Sequence, residues 1–573
     1  MTRVVSVRPV AAALPAVAAI AGGTAVAAGA LALRLTDLSR VRPDPFYDAA
    51  VRSMGTSWHD FLFGALEPGG SVAIDKPAPA LWPQVVATKL LGFSTASLLV
   101  PEALAGAASV GLVYVLGRML WRPAAGLAAA AALAVLPVAV LTARSDTMDA
   151  LATALTLLAA VLLVRSGSRG GKWALAGAGA AIGLAFNVKL FQALVPVPAL
   201  ALLYVAASSL PIGERLSRLA LTASVALAVG LSWLAVVTTA PGREQPFAFG
   251  SGNGSALSAA FGYDGIDRLD PAMRPAHHAA AAVAQAPGPP GAGRLVGAGG
   301  HLGALLGTEL VPALILGGVA AIALTVAVAG RWRAAARARE DAPAGDAATL
   351  APPGRLALAG ALGVGAWLLT GFGLFSFLHG LQTRYLDALA PAVALALGGG
   401  IVALGRWARM PGWAMACAVA AVLAVPAAHA LAVVDDASSD SGHLGQLPAS
   451  TVDRLSAFLQ RHTKGERYEV ATATAVKAAP LIAKDARPVL MLGTRAGHPL
   501  TPLRRLIADV RHREVAYVLV AGRCGPHSAL GPGGCGRAAR WAKVHGRNLS
   551  ARVGVPLYAV HAPLRTRRYP RRG

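Results

Sequence analysis

Two carboxylates, Asp146 and Asp149, stand at the front of a long apolar run in "LTARSDTMDALATALTLLAAVLLVRSGSRGGK" (141–172). Acids near a helix start have a structural use, because the free N–H groups and the helix dipole favour negative charge there, and Ser145 is placed to act as N-cap. They also have a chemical use: three residues apart on one helix face, they can present oxygens together to a substrate hydroxyl or a metal. Other polar groups sit in comparable places. The segment 35–96 carries Asp44, Asp48 and the Asp75-Lys76-Pro77 triplet; Lys189 lies in "FNVKLFQ", and Arg384 and Tyr385 in "HGLQTRYLDALAP". Any one cation at a membrane rim can be a snorkelling anchor. A set of acids and cations collected at one rim is what a reaction site needs.

The elements that position these residues are membrane spans. Of 573 residues, 55% are hydrophobic and 14% charged, a composition rare in soluble domains of this size. Apolar runs of bilayer length or slightly less begin near residues 10, 97, 123, 149, 172, 190, 218, 303, 355, 385 and 412, which predicts a polytopic α-helical membrane protein with about 11 transmembrane helices. The first run follows Arg3 and Arg8 like a signal peptide but exceeds a typical h-region, so it is expected to remain as a span.

The net charge of +24 does not mark a nucleic-acid binder. The basic residues form short clusters between apolar runs, with no stripe of interleaved aromatics. With the N-terminus in the cytoplasm, "GRMLWRP", "RSGSRGGK", "GERLSR", "RWRAAARARE" and "GRWARMPG" all fall on the cytoplasmic side, while the opposite short turns carry one cation each, Arg144, Lys189 and Arg384. That asymmetry sets orientation. Segments 35–96, 241–302 and the tail after about 435 are then extracytoplasmic, and Trp121, Trp173, Trp332 and Trp407 fall at the cytoplasmic interface. Within the first loop, "FYDAAVRSM" and "SWHDFLFGAL" have the mixed pattern of helices lying in the interface.

The tail (435–573) reads differently from the transmembrane part (1–434). "YEVATA", "AVKAAPLIAK", "PVLML", "TPLRRLIADVRHR" and "VAYVLV" alternate strand and helix, predicting a small α/β domain followed by a disordered basic end that touches anionic lipid. Cys524 and Cys535 flank "GPHSALGPGG", a spacing open to a disulfide or to two free thiols. Cys417 lies in a span as packing.

Together, "FYDAAVRSMGTSWHDFLFGALEPGGSVAIDKPAPALW", "GLAFNVKLFQA", "FAFGSGNGSALSAAFGYDGIDRL" and "FSFLHGLQTRYLDALAPA" resemble the GT-C glycosyltransferases of family 39. That family includes the protein O-mannosyltransferases and the aminoarabinose transferases that modify lipid A. The similarity is greatest to a bacterial mannosyltransferase-like branch with an α/β C-terminal domain, and it runs from about 40 to 560. It implies transfer of a sugar, mannose-like or aminoarabinose-like, from a polyprenyl-phosphate donor to an extracytoplasmic lipid, glycan or protein acceptor at the cell membrane. By the same resemblance Asp44 matches the general base and Asp149 the second acid. Lys76, Lys189 and Arg384 match phosphate-holding cations, with Asp48, Asp146 and Tyr385 in support, and Asp75 stands where relatives carry an acid that can meet a divalent metal cation. Such chemistry needs a base for the acceptor proton and cations for the departing phosphate.

Two departures leave alternatives open. Many relatives carry Asp-Glu in the first loop, whereas this chain has Asp44-Pro45, so the base is Asp44 or Asp48. "QTRYLD" is nearer the aminoarabinose branch, which leaves the donor sugar undecided. His59, His301 and His379 are metal candidates on the outer side, though isolated interfacial histidines are more often solvated. Two rival classes remain. A secondary transporter would place ionisable groups near the midplane, commonly in repeated halves. Here the spans are mostly free of charge, with Glu102 an exception, the acids gather at one rim, and no repeat is visible. A non-catalytic envelope-binding scaffold would keep the fold and tolerate loss of Asp44 and Asp149.

Overall fold

A computed structural model describes residues 14–169, 171–267, 330, 337, 354–377, 382–440, 445–494, 499–520 and 536–560. In chain order the helices are α1 (Leu14–Leu35), α2 (Pro45–Met54), α3 (Trp58–Phe63), α4 (Trp82–Leu91), α5 (Thr95–Leu120), α6 (Pro123–Val135), α7 (Pro137–Thr142), α8 (Asp149–Arg169), α9 (Lys172–Lys189), α10 (Val197–Ala207) and α11 (Ile212–Thr239). They continue as α12 (Arg355–Phe377), α13 (Ala390–Trp407), α14 (Gly412–Asp435), α15 (Ala449–His462), α16 (Ala475–Asp485), α17 (Leu503–Arg511), α18 (Arg537–His545) and α19 (Ser550–Val553). Strands are β1 (Val72–Ala73), β2 (Phe247–Ala248), β3 (Val470–Thr472), β4 (Val489–Met491), β5 (Tyr517–Leu519), β6 (Arg547–Asn548) and β7 (Leu557–Ala559).

Among the described residues, seven helical segments are long and apolar enough to cross a membrane, and the shorter α6 and α10 are apolar as well. Each apolar run picked out in the sequence has a helix except the one near 303, which lies outside the described residues. The runs near 172 and 190 are divided by a break. α9 stops at Lys189, a 3-10 turn covers Leu190–Leu194, and α10 follows with only 11 residues.

The chain divides into two compact units. The first comprises Met1–Arg42, Val86–Trp233 and Gly288–Ser441. Its core joins buried residues of α5, α6, α8, α9, α10, α12 and α13. Within a bilayer apolar area gives helices no reason to associate, so small residues that allow close backbone approach carry the packing. A Cβ on Gly398 of α13 would stand 2.4 Å from the Ala129 backbone nitrogen of α6; only glycine fits there. The span Thr383–Trp407 is 78% buried and the span Gly412–Asp435 22%, which separates a central helix from a peripheral one. Two arginines fix the helix ends of this unit. The buried Arg34 of α1 donates to Leu133 O and Ala134 O, carbonyls left open where α6 ends before Pro137, and to Ala139 O of α7. Arg144 reciprocates by donating to Arg34 O and Thr36 O at the end of α1.

The second unit comprises Pro43–Val85, Leu234–Pro287 and Gly442–Gly573. Its five-stranded sheet runs β4-β3-β5-β7-β6, with β4, β3 and β5 parallel and β7 antiparallel to both its neighbours. β3, β4 and β5 fall on the apolar runs expected as strands, β6 and β7 are additional, and helices α17 and α18 pack on the sheet through Leu506, Val510, Ala538 and Ala542. In the same unit β1 and β2 form a short parallel pair, and Phe46 of α2 packs on Phe249 at 4.8 Å between ring centroids. α2 departs from the expected interfacial helix: every residue except Arg52 is buried, whereas a helix lying on a membrane keeps a wet polar face. Cys524 and Cys535, the basic end, Trp332, His301 and His379 lie outside the described residues. Cys417 is on an exposed face of α14, so it is not core packing.

Candidate active site

In the first unit the polar residues gather around the start of α8. The helix begins at Asp149, and Met148 before it takes φ 61°. Asp146 is therefore in the preceding turn and does not share a helical face with Asp149. Nor is Ser145 the cap of α8. Its hydroxyl donates to Leu141 O at 2.6 Å and accepts from Asp440 N at 2.7 Å. The open N-terminus of α8 is served from another helix, since Leu151 N donates to Glu102 Oε2 of α5 at 3.2 Å.

Asp149 is buried, and its two oxygens have different partners. Oδ2 lies 2.9 Å from Lys189 Nζ, and Oδ1 accepts from Gln192 Nε2 at 3.0 Å. The partners come from the break in the helix after α9, where Leu190 takes φ 46° and ψ −128°. Both members of the ion pair thus adjoin a non-glycine residue at positive φ, an arrangement that costs free energy and is kept only when surrounding structure enforces it. The break turns a cation and an amide inward together. A pocket opens on Asp149 and Gln192, with Thr153, Thr156, Trp367 and Pro391 among its lining. Thr153 Oγ1 also donates to Asp387 Oδ2 at 2.7 Å.

Arg384 stands on the 3-10 turn before α13. Its backbone N–H donates to Asp440 Oδ2 at 2.9 Å, its guanidinium donates to Asp440 O at 3.0 Å, and it lies 5.9 Å from the Tyr385 ring centroid. Burial raises the Asp440 carboxyl above the ordinary aspartate range, with Arg384 opposing the shift. Tyr385 and Asp146 are buried.

In the second unit Asp44 caps α2, its Oδ1 accepting from Phe46 N at 3.2 Å ahead of Pro45. Asp48 follows one turn later, and both acids are buried. Tyr47 donates to Asp75 Oδ1 at 3.4 Å. Lys76 Nζ bridges Asp75 Oδ2 at 3.2 Å and Asp264 Oδ2 at 2.7 Å. Asp264 is supplied by a π-helical turn, Ser258–Ile266, a form that often accompanies functional sites. His59 contacts Asp60 and Glu244 O. A divalent cation would need several oxygen ligands. The Lys76 ammonium holds the position between Asp75 and Asp264, and no three His, Cys, Asp or Glu side chains converge among the described residues. The set around Asp75 does not fit a metal ion.

The structure therefore joins Asp149 to Lys189, and Asp75 to Lys76, as neighbours. Sequence reasoning missed Gln192, Asp387, Asp440 and Asp264. An acid inside an apolar span was the available signal for Asp387. Asp440, in the polar stretch "DDASSDSG", carries no local signal.

Comparison with known proteins adds the fold's relatives. A family model described as "Dolichyl-phosphate-mannose-protein mannosyltransferase" matches residues 75–235, and one described as "Putative mannosyltransferase YkcB-like, C-terminal" matches 455–545. The chain is 36% identical over 224 residues to "Putative mannosyltransferase YycA" of Bacillus subtilis, covering 39% of this chain and 33% of that one. It is 35% identical over 226 residues to "Putative mannosyltransferase YkcB" of the same organism, covering 39% and 32%. Each match thus spans about a third of the relative's length. ArnT of Cupriavidus metallidurans in its apo state is similar in fold, with TM-score 0.52 and 16% identity over 87% of this chain and 89% of that one. The apo oligosaccharyltransferase of Archaeoglobus fulgidus is similar with TM-score 0.52 and 14% identity over 92% and 73%.

Proposed function

We propose that this chain is a GT-C mannosyltransferase-like membrane protein that transfers a sugar from a polyprenyl-phosphate donor to an extracytoplasmic acceptor, a reading supported by the matched family models and curated relatives. The observation that carries the reading is the buried Asp149–Lys189 pair with Gln192 on its second oxygen, opening on a pocket in the helical unit. A carboxylate and an ammonium held together out of water are costly to fold around, and such groups in membrane proteins mark function.

In the proposed reaction the acceptor hydroxyl loses its proton to a carboxylate, and its oxygen bonds to the anomeric carbon. The bond from that carbon to the phosphate oxygen breaks, leaving polyprenyl phosphate. Asp44 takes the role of base by family resemblance, with Asp48 as the alternative in the same helix. Lys189 and Arg384 are cations for the charge that grows on the leaving phosphate. Gln192 and Lys189 hold the Asp149 carboxylate in one orientation, so little reorganisation is needed at the moment of transfer. In the second unit Asp75 and Asp264 hold Lys76 in place, a phosphate-holding cation by the same resemblance. The same reading puts the N-terminus in the cytoplasm and the second unit outside the cell membrane, and leaves the sugar as mannose-like or aminoarabinose-like.

The test supplies the purified protein in lipid nanodiscs with radiolabelled polyprenyl-phosphate mannose and polyprenyl-phosphate aminoarabinose together with membrane extract as acceptor. Label moving to an acceptor with release of polyprenyl phosphate, and lost in Asp149→Asn, is the expected outcome. Equal transfer by wild type and Asp149→Asn, or none from either donor, would overturn the proposal.

A further inference from the structure

We propose that the α/β domain serves to position α2 and its acids, with Glu67 as the positioning residue that couples the two. The proposal rests on the reading of Asp44 and Asp48 given above, and all its geometry lies within the second unit.

Three contacts carry it. First, α2 packs directly against α16, the helix that follows the central strand β3. This accounts for a ten-residue helix that is buried except at Arg52 although it carries Asp48 and Ser53. Second, Glu67 reaches the sheet. The turn "EPGGS" closes through Gly69 and Gly70 at φ 113° and 66°, and a Cβ at Gly70 would meet His59 Cε1 at 2.9 Å. With the turn closed, Glu67 Oε1 accepts from both Ser71 N and Ser71 Oγ at 2.7 Å. The Glu67 carboxyl also accepts from the Val489 backbone N–H. Val489 begins β4, the edge of the five-stranded sheet, and an edge N–H needs a partner from outside the sheet. Third, Gln446 Nε2, in the segment leading into the α/β domain, donates at 3.0 Å to Pro43 O, one residue before Asp44.

Glu67 is 2% exposed. A buried carboxyl is retained where its hydrogen bonds specify an arrangement, since an apolar residue would otherwise fill the space at lower cost. Here the donors come from its own turn and from the edge strand, so the side chain records whether the domain is seated. The same loop returns to α2 through Ser53 Oγ, which donates to Leu66 O at 3.1 Å. Movement of β4 is in this way passed to the helix that bears Asp44 and Asp48.

The test compares wild type, Glu67→Ala, Glu67→Gln and Gln446→Ala in the full chain in nanodiscs. Amide hydrogen exchange over residues 45–54 and at Val489 is read beside transfer from polyprenyl-phosphate mannose. Glu67→Ala is expected to speed exchange in both segments at least tenfold and to lower kcat at least tenfold with KM for the donor unchanged within about twofold. Glu67→Gln, which keeps an acceptor oxygen, should restore both to within about threefold. Exchange in 45–54 left unchanged by Glu67→Ala would overturn the coupling, and altered exchange with unchanged kcat would overturn the positioning role. Should Glu67→Ala fail to fold, Gln446→Ala decides by the same two readings. If wild type transfers no sugar, the proposed function fails, and exchange alone decides whether the domain holds α2.

Discussion

Lys189 Nζ lies 2.9 Å from Asp149 Oδ2 although 40 positions separate the two residues, and each adjoins a residue at positive φ, Leu190 and Met148. The pair joins the end of α9 to the beginning of α8. Gln192, three positions after Lys189, takes the other carboxylate oxygen. A charged pair with side chains 4% and 0% exposed costs desolvation on both partners, and loss of either leaves the other charge buried and uncompensated.

Lys189→Met is expected to leave a buried carboxylate without its counter-charge and to destabilise the protein by about 3–5 kcal/mol. Asp149→Asn leaves the Lys189 ammonium without its counter-charge in the same way, so it should cost a comparable amount of stability, and it should lower transfer roughly a hundredfold or more. Asp149→Asn combined with Lys189→Met should recover stability relative to Lys189→Met alone while leaving transfer low. Thermal unfolding and turnover at matched protein level separate these effects; recovery of transfer in the double variant would remove the charges from the reaction. Asp146→Asn, in the turn before the helix, should reduce transfer less than Asp149→Asn.

The reciprocal arginines make a second test. Arg34→Met removes the donors that serve the carbonyls ending α6, and hydrogen bonds to charged groups are each worth about 1.5–3 kcal/mol. A fall in melting temperature is expected, with little rescue by Arg34→Lys, because an ammonium lacks the planar fork that reaches several carbonyls at once. Full rescue by lysine would mean that charge, not the fork, is what matters.

Glu469 links the stability of the α/β domain to pH. Burial, and next the neighbouring Asp485, push its carboxyl up to about 8, with Arg487 opposing. A raised folded-state value means that the folded domain holds a proton which the unfolded chain has already released. Stability should therefore be greatest at low pH within this window and decline as pH rises from about 4.5, the ordinary glutamate value, to about 8. Amide exchange of β3 at pH 6 and pH 8, corrected for intrinsic rates, should show weaker protection at pH 8. Glu469→Gln should flatten the difference; an undiminished difference would assign it to another group.

Orientation follows from the loop cations and can be read directly. Reporters fused at residues 170 and 340 should give a cytoplasmic signal, and one at 450 an external signal. An external signal at 340 would require a different number of spans between them.

The linear sequence determined the class of the protein, since apolar runs long enough to span a bilayer must form helices to satisfy their own backbone. It likewise marked β3, α16, β4, α17 and β5 in their order, as short apolar runs alternating with amphipathic helices, but not α15, α18, α19, β6 or β7. It marked Asp149, Lys189 and Arg384, as charge stands out against apolar surroundings. Tertiary structure alone decided the partners. Gln192 reaches the Asp149 carboxylate through a helix break, Asp264 and Asp440 reach Lys76 and Arg384 from a π-helical turn and a loop distant in sequence, and no periodicity encodes such meetings. Ser145 looked like a cap and instead receives Asp440 N, because the helix starts four positions later, at Asp149. α2 looked interfacial from its own ten residues. Its burial came from α16 and Phe249, and a short mixed segment has no local means of stating whether lipid or protein will cover it.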